Sequence, residues 1–514
     1  MILLGVVAVV LVAVTVHDLV QRKHAILRNF PVIGHLRFLL EAIGPELRQY
    51  IVTDNDSERP FSRDERRWVY ATSKSENSYF GFGTDNDLDR VDDYVIFKQV
   101  TFPFTPASPA PDHPDPNRPL ESLKVLGGPH RRPLAFRPSS IVNVSGMSFG
   151  SLSGAAVAAL NRGCAMAGAL QATGEGGVSE HHRQGGELVW QIGTGYFGCR
   201  DAEGRFDLAR LVDTVASAPV RAIEIKLSQG AKPGLGGMLP GRNVTPTIAA
   251  ARGVPVGIDC HSPARHSAFD DVDGMIGFIE TIAAATGLPV GIKSAVGDEG
   301  FWVELVDRMS VTGAGPDFVT IDGGEGGTGA APLAFADHVA LPFRWGFARV
   351  FSIFAERDMT DRVTFIGSGK LGLPHRGLTA LALGCDMLNV GRSALFSIGC
   401  IQAQRCHTDR CPTGVATQNP RLERGLDVGL KSQRCANYLA AMRFELVRLA
   451  HAMGVEHPSL VPADRIEVLE DGWRSRSLPE VVGFRPHWGV PSSEVLAAWR
   501  MDTGGAAGPP VGLR

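Results

Sequence analysis

Between residues 141 and 394 the chain alternates short β-branched runs with Ala- and Leu-rich stretches, and glycine turns join most of them. The runs are 141–145, 170–173, 221–226, 254–260, 289–294, 318–322, 363–368 and 387–390. Continuous apolar runs buried on both faces, each feeding a helix, are the pattern of parallel strands. Eight such units fill a (β/α)8 TIM barrel, whose usual size is about 250 residues. A doubly wound open sheet alternates in the same way but needs a reversal of strand order, so regular repetition favours closure. Helix signals agree. Ser151 or Ser153 is placed to cap a helix over 154–166, and Thr245-Pro246 puts a cap and a first-turn proline ahead of 247–252.

Charge excludes other classes. With 51 Lys+Arg against 54 Asp+Glu, a net charge of −3, the chain lacks the basic footprint of a nucleic-acid binder. An apolar fraction of 44% excludes global disorder and a polytopic membrane protein. The N-terminus differs from the body. Residues 2–16 form an uncharged Val/Leu/Ala run, extended by Leu19 and Val20 past His17 and Asp18. A spanning helix needs about 20 apolar residues, and a signal-peptide core or a helix packed on the body are the competing readings. No basic residue precedes the run, no small-x-small cleavage pattern follows it, and Arg22, Lys23 and Arg28 predict a cytoplasmic body. The expectation is a single-pass cell-membrane anchor over 1–24, an extension over 25–125, a barrel domain over 126–418 and a helical C-terminal segment over 419–514. A run of six prolines over 105–119 excludes a regular element there. In the C-terminal segment, Leu439, Met442, Leu446 and Leu449 space a helix over 433–453, and the final Gly/Pro-rich dozen reads as loose. Cys435 and His261 read as core residues.

In such a barrel the chemistry lies at the carboxyl ends of the strands. Glycine-bearing loops fall in phase with those ends at 145–150, 173–177, 226–234, 322–329, 367–370 and 391–393. Glycine lets backbone approach a ligand closely, and loops after the seventh and eighth strands commonly hold phosphate. With Arg392 adding charge, a phosphate-bearing cofactor is implied. Lys226, Lys232 and Lys293 sit in or after buried runs. There a lysine either pairs with a carboxylate such as Glu224 or Asp259, or serves a cofactor phosphate and an anionic substrate.

Eight cysteines are few for a disulfide scaffold of this length, and they read as reduced thiols. Three form Cys400-(x5)-Cys406-(x4)-Cys411-Pro412, which reads as an iron–sulfur ligand set or as a Cys3His zinc site completed by His407. Spacing leaves the two nearly even; a redox role favours iron.

These residues bring a family into view. Ser145-Gly-Met-Ser-Phe-Gly150, Gly174-Glu-Gly-Gly177, Gln229-Gly-Ala-Lys-Pro-Gly234, Gly237-x-Leu-Pro-Gly241, Gly326-Gly-Thr-Gly329 and the run from Cys400 to Gln418 occur together and in this order. The segment 141–418 thereby resembles the FMN and iron–sulfur synthase domain of glutamate synthases. The resemblance implies a barrel holding FMN and a three-iron–four-sulfur (3Fe-4S) cluster on Cys400, Cys406 and Cys411. It implies reductive amination of 2-oxoglutarate with ammonia, through 2-iminoglutarate, to L-glutamate. Met147, Ser148, Gln191, Lys226, Gly369 and Gly391 would lie around the flavin, with Gly327, Gly367, Ser368 and Arg392 in the same glycine loops. Gln229, Lys232 and Arg252 would hold or polarise the 2-oxoacid, Glu175 would move protons, and Lys232 would act as proton donor or electrostatic stabiliser.

Departures from the family pattern at Leu235, where an acidic residue is usual, Met238, where glutamine is usual, and Tyr196, where arginine is usual, bear on the acceptor acid. The first cysteine is Cys164, so no N-terminal-Cys glutaminase is expected in 1–140, and ammonia would arrive free or from a separate glutaminase subunit. No GxGxxG-plus-acid fingerprint follows a strand, so electrons are expected from ferredoxin or a separate NAD(P)H flavoprotein. Two other readings stand beside this one. They are an N-methylglutamate synthase-type catalytic subunit and a membrane-tethered electron-transfer or redox-sensing flavoprotein without amination activity.

Overall fold

The computed structural model describes residues 2–503 apart from 22, 55, 80, 89–91, 107–111 and 471–472. Arg22, the centre of the proline run at 107–111 and the Gly/Pro-rich end at 504–514 lie outside the described residues. The chain divides into two units, 1–67 and 68–514.

The larger unit is built on a closed barrel of eight parallel strands surrounded by helices. They are β1 (Val142–Val144), β2 (Gln171–Ala172), β3 (Leu188–Ile192), β4 (Val220–Lys226), β5 (Val290–Ser294), β6 (Phe318–Asp322), β7 (Thr364–Ser368) and β8 (Met387–Val390). Each pairs with its sequence neighbours, and β8 closes on β1 with Val390 beside Val144. Seven of the eight expected runs are barrel strands; the run at 254–260 is not. Val256 and Ile258 are exposed, and only Cys260–His261 forms a strand, pairing with Met238–Leu239 outside the barrel. Its place is taken by β3, whose Trp190 and Gln191 interrupt the β-branched signal while the strand is buried. His261 is exposed there, contrary to its reading as a core residue; Cys435 is buried as expected.

The expected caps form. Ser153 accepts from the Ala156 N–H at the head of Gly154–Ala167, and Thr245 accepts from the Ile248 N–H ahead of Pro246–Arg252. The barrel floor is plugged from its amino end. The antiparallel bridge Leu126–Phe136 brings Leu126 against Ala222, Phe318, Ile366 and Met387. Gly291 is required here, because a Cβ would lie 2.4 Å from the Phe318 ring. Outside, the C-terminal helix Val428–Ala452 lies against Gly154–Ala167. Its approach leaves no room at Gly163, where a Cβ would lie 2.6 Å from that of Cys435. An antiparallel sheet of Tyr94–Phe97, Ile466–Glu470 and Arg474–Ser477, not foreseen from the sequence, joins the segments before and after the barrel.

In the smaller unit, helix Ile2–Val20 is long and apolar enough to cross a membrane, and most of its large side chains are exposed. Asp18 is buried near its end, accepting from the Val32 N–H at 2.9 Å and bonding His35 Nε2 at 2.9 Å.

Buried neutral histidines set an acid limit on stability. His457 accepts from the Ser459 N–H at 3.1 Å and bonds the Glu121 carbonyl at 3.1 Å, and burial lowers its pKa to about 4. Burial and the neighbouring His181 lower that of His182 to about 3. In the unfolded chain both return to about 6.5. The unfolded state therefore binds more protons between those values, and stability falls as pH drops from about 6.5 to 4. Replacing His457→Gln should flatten that fall in thermal unfolding followed across this range, whereas an unchanged slope would mean His457 protonates in the native state.

Candidate active site

Two lysines stand on adjacent strands at the barrel mouth, Lys226 closing β4 and Lys293 next to last in β5. Lys226 of β4 and Lys293 of β5 are register partners, and both are buried. Two ammonium groups so placed repel, and each is neutralised separately. Lys293 lies 2.8 Å from Asp322 at the end of β6, whose second oxygen accepts from Ser368 Oγ at 2.8 Å. Burial alone would depress Lys293, but Asp322 and then Glu224 raise it above the ordinary lysine value. Asp322 is held below the usual carboxylate range, burial being outweighed by Lys293 and the Gly230 N–H. Lys226 lies 2.9 Å from Glu175, in the loop after β2, and donates to Gln229 Oε1 at 2.6 Å. Burial raises Glu175, but Lys226, Lys232 and Arg252 together hold its carboxyl below the ordinary value.

Glu175, Lys226, Gln229 and Lys232 line a polar pocket with Thr194, Leu235, Gly236, Gly237 and residues 262–264. Lys232 reaches the Gly236 carbonyl at 3.0 Å. Burial, reinforced by Lys226 and opposed by Glu175, lowers its pKa from the ordinary lysine value. Arg252 closes the last turn of Pro246–Arg252 and is buried beside the pocket. It donates to the Phe149 carbonyl at 3.2 Å, lies over the Phe197 ring, and its Nε has no partner among the described residues.

Of the residues expected around a flavin, Met147, Ser148, Gly367, Ser368, Gly369, Gly391 and Arg392 lie at the ends of or after β1, β7 and β8, whereas Gln191 is on β3, Lys226 ends β4 and Gly327 follows β6. Met147 and Ser148 are half-buried after β1. Gln191 donates from β3 to Glu224 at 2.6 Å, and Thr320 donates to the other Glu224 oxygen at 2.6 Å, so its amide is engaged inside the barrel. Gly369 is buried with φ +133°, a conformation that favours glycine. A Cβ on Gly391 would meet only Ser145, at 3.8 Å, so its α-carbon faces open space between β8 and β1. Gly367 instead faces the packed layer, where a Cβ would lie 2.8 Å from Leu371 and 2.9 Å from Phe343. Gly327 is exposed against Arg392, which donates to the Glu325 carbonyl.

The cysteine triplet does not form a metal centre. Among the described residues no group of three or more His, Cys, Asp or Glu side chains is placed to hold a metal ion, which overturns both the 3Fe-4S cluster and the zinc site with His407. Left-handed backbone at Gln402, Gln404 and Asp409 breaks the loop into turns. Cys411 is buried with its sulfur 3.5 Å from Thr413 Oγ1, Cys406 is exposed, and the Cys400 sulfur accepts from the Gln402 N–H. Burial and then Cys411 raise the Cys406 thiol pKa, so these two thiols interact, but among the described residues no third ligand joins them.

Glu224, Thr320 and Asp322 were not read as site residues. The available signal was a carboxylate inside an apolar strand, in Ala222-Ile-Glu-Ile-Lys226 and Phe318-Val-Thr-Ile-Asp322. Thr194 and Ser262 carried no sequence signal.

The conserved region in glutamate synthase matches residues 132–456. A glutamate synthase large subunit-like protein, YerD, of Bacillus subtilis is 36% identical over 495 residues, covering 89% of this chain and 92% of that protein. An archaeal-type NADPH glutamate synthase of Thermotoga sp. is 34% identical, covering 67% of this chain and 65% of its own. The corresponding enzyme of Methanocaldococcus jannaschii is 31% identical, covering 67% and 64%. The chain thus spans just under two thirds of these archaeal-type relatives.

Removing one partner of a buried pair leaves an uncompensated charge. Asp322→Ala strands Lys293 and should cost about 3–5 kcal/mol in denaturant unfolding. A loss under about 1 kcal/mol would mean that water reaches Lys293.

Proposed function

The chain belongs to the glutamate synthase family, and from that premise we propose that it is an FMN-dependent oxidoreductase aminating 2-oxoglutarate with ammonia, through 2-iminoglutarate, to L-glutamate. The observation that carries this reading is the pocket holding Lys232, Lys226, Gln229 and Glu175 at the carboxyl end of the barrel. The mouth residues fit the cofactor. Gly391 leaves space beside Ser145, Gly369 turns the chain after β7 with φ +133°, and Met147, Ser148 and Arg392 lie on the same mouth loops. When bound, FMN supplies a hydride to carbon 2 of the imine.

The chain's own residues bind the acid and move protons. Lys226 is already shared between Glu175 and Gln229, so Lys232, whose described partner is a carbonyl, is the cation open to a substrate carboxylate or oxo group. Its lowered pKa suits it to give the Nζ proton to the hydroxyl that leaves as water when imine forms. Glu175, held ionised, accepts the proton that the incoming nitrogen loses. Arg252 adds positive field from beside the pocket. Ammonia arrives free or from a separate glutaminase. Electrons come from ferredoxin or an NAD(P)H flavoprotein, in keeping with the NADPH named for two relatives. Leu235 in the wall supports a second reading, in which the pocket takes methylamine and the product is N-methylglutamate.

Reoxidation of the reduced flavoprotein by 2-oxoglutarate plus ammonium tests the first reading. Lys232→Gln should slow it at least about a hundredfold, a loss expected for a positioned proton donor. Faster turnover with methylamine selects the second reading, and no reoxidation with either amine rejects both.

We also take Ile2–Val20 as a single-pass anchor with a cytoplasmic body, supported by its exposed apolar surface and by Lys23 and Arg28 after it. The full chain should stay with membranes through alkaline carbonate, and release by carbonate would refute the anchor.

A further inference from the structure

Residues 262–264 form part of the pocket wall, and three elements hold the segment 262–268 that they begin. From the loop after β3, Thr194 Oγ1 donates to the Pro263 carbonyl at 2.7 Å. From the Lys232 loop, Gly237 and Ser262 exchange bonds, the Gly237 N–H donating to Ser262 Oγ at 2.8 Å and the Ser262 N–H to the Gly237 carbonyl at 2.9 Å. The third attachment is different in kind. The Tyr196 hydroxyl oxygen accepts from the Ser267 and Ala268 N–H groups, each at 3.0 Å, and also lies 3.2 Å from His266 Nδ1.

Donor and acceptor counting fixes the protons. His266 Nε2 is 3.0 Å from the Lys226 carbonyl, which only accepts, so Nε2 carries the hydrogen. Burial lowers the His266 pKa to about 4, so at neutral pH Nδ1 is bare. With both lone-pair directions of Tyr196 taken by backbone N–H groups, its own hydrogen points to that bare nitrogen. The chain of bonds therefore runs from the backbone of that segment through Tyr196 and His266 to the carbonyl of Lys226, the residue whose ammonium binds Glu175 and Gln229. Rings hold its members in place. His266 stacks on Phe269 at 5.0 Å, and Tyr196 packs on Phe206, which packs on Phe278. Tyr196 itself has φ +48°, a costly backbone for a bulky residue.

We propose that Tyr196 and His266 are positioning residues for acid binding. Through a latch with one allowed tautomer, they fix the segment 262–268 and the end of β4 at the separation that a 2-oxoacid needs. Neither residue lines the pocket. Protonation of His266 would place a second donor against a hydroxyl that has no other described acceptor, and so would open the latch. The charged and titratable groups around His266 are Glu175, whose carboxylate favours protonation, Tyr196, and Lys226, which presents its carbonyl.

The proposal rests on the 2-oxoacid reading above, and its test separates the two. In the full-length flavoprotein, calorimetric titration with 2-oxoglutarate should give a dissociation constant about tenfold higher for Tyr196→Phe than for the unaltered chain, about 1.4 kcal/mol. Flavin content should be unchanged, and KM should rise with kcat within about twofold. Leu446→Ala removes buried volume from the C-terminal helix Val428–Ala452, which contacts neither the latch nor its ring cluster, and should leave the dissociation constant unchanged, which separates positioning from general destabilisation. Long-range proton–nitrogen spectra of the imidazole should show His266 protonated at Nε2 alone in the unaltered chain. Equal affinity in Tyr196→Phe, an equal loss in Leu446→Ala, or a proton on Nδ1 would each overturn the latch. An unaltered chain that does not bind 2-oxoglutarate would overturn the substrate reading instead, while the imidazole spectrum would still report on the tautomer.

Discussion

Two ammonium groups on neighbouring strands at the barrel mouth are the constraint on which the site is organised. Lys226 and Lys293 cannot share one counter-charge, so each draws a carboxylate from a different direction, Glu175 from the loop after β2 and Asp322 from β6. That division separates structure from chemistry. The Lys293–Asp322 pair, bonded to Ser368 and the Gly230 N–H, ties β5, β6, β7 and the loop after β4 together at one depth. The Lys226–Glu175 pair stands at the edge of the pocket, where burial lowers Lys232 against the pull of Glu175, and Lys226, Lys232 and Arg252 hold the Glu175 carboxyl below its ordinary value. Below them Glu224, satisfied by Gln191 and Thr320, adds negative charge to the barrel interior. The lysines are thus held by a polar layer above an apolar plug of Leu126 and Phe318.

Much of this architecture was legible because parallel barrel strands are buried on both faces and leave long apolar signatures. The exceptions share one cause. The eye follows branched aliphatics, whereas burial follows topology. Val254 to Ile258 has the composition of a strand yet runs on the surface of the β4–β5 connection. Leu188–Ile192 carries Trp190 and Gln191, looks mixed, and is a barrel strand because β2 and β4 satisfy its backbone on either side.

Within the site, residues with strong local signatures were visible and residues defined by partners were not. Lys226 and Lys232 stood out because a lysine in a buried strand or glycine loop demands an explanation. Their alternative partners were misjudged, Glu175 taking Lys226 and Asp322 taking Lys293, because pairing depends on distances that spacing does not encode. The cysteine triplet shows the same limit. Three thiols within twelve positions are close along the chain, yet turns at Gln402, Gln404 and Asp409 leave one sulfur buried and another at the surface. Tyr196 was noticed only as a departure from a family pattern; its hydrogen bonds to Ser267, Ala268 and His266 give it a structural context.

The connection between β4 and β5 carries Gln229, Lys232, Leu235, the helix ending in Arg252 and the wall segment ending near His266, whereas the glycine loops over β1, β7 and β8 belong to other parts of the chain. Most of the pocket wall is therefore carried by one contiguous stretch of chain, to which Glu175 and Thr194 are added from the loops after β2 and β3. Inheritance that varies this stretch can reshape the pocket while leaving the barrel beneath it untouched.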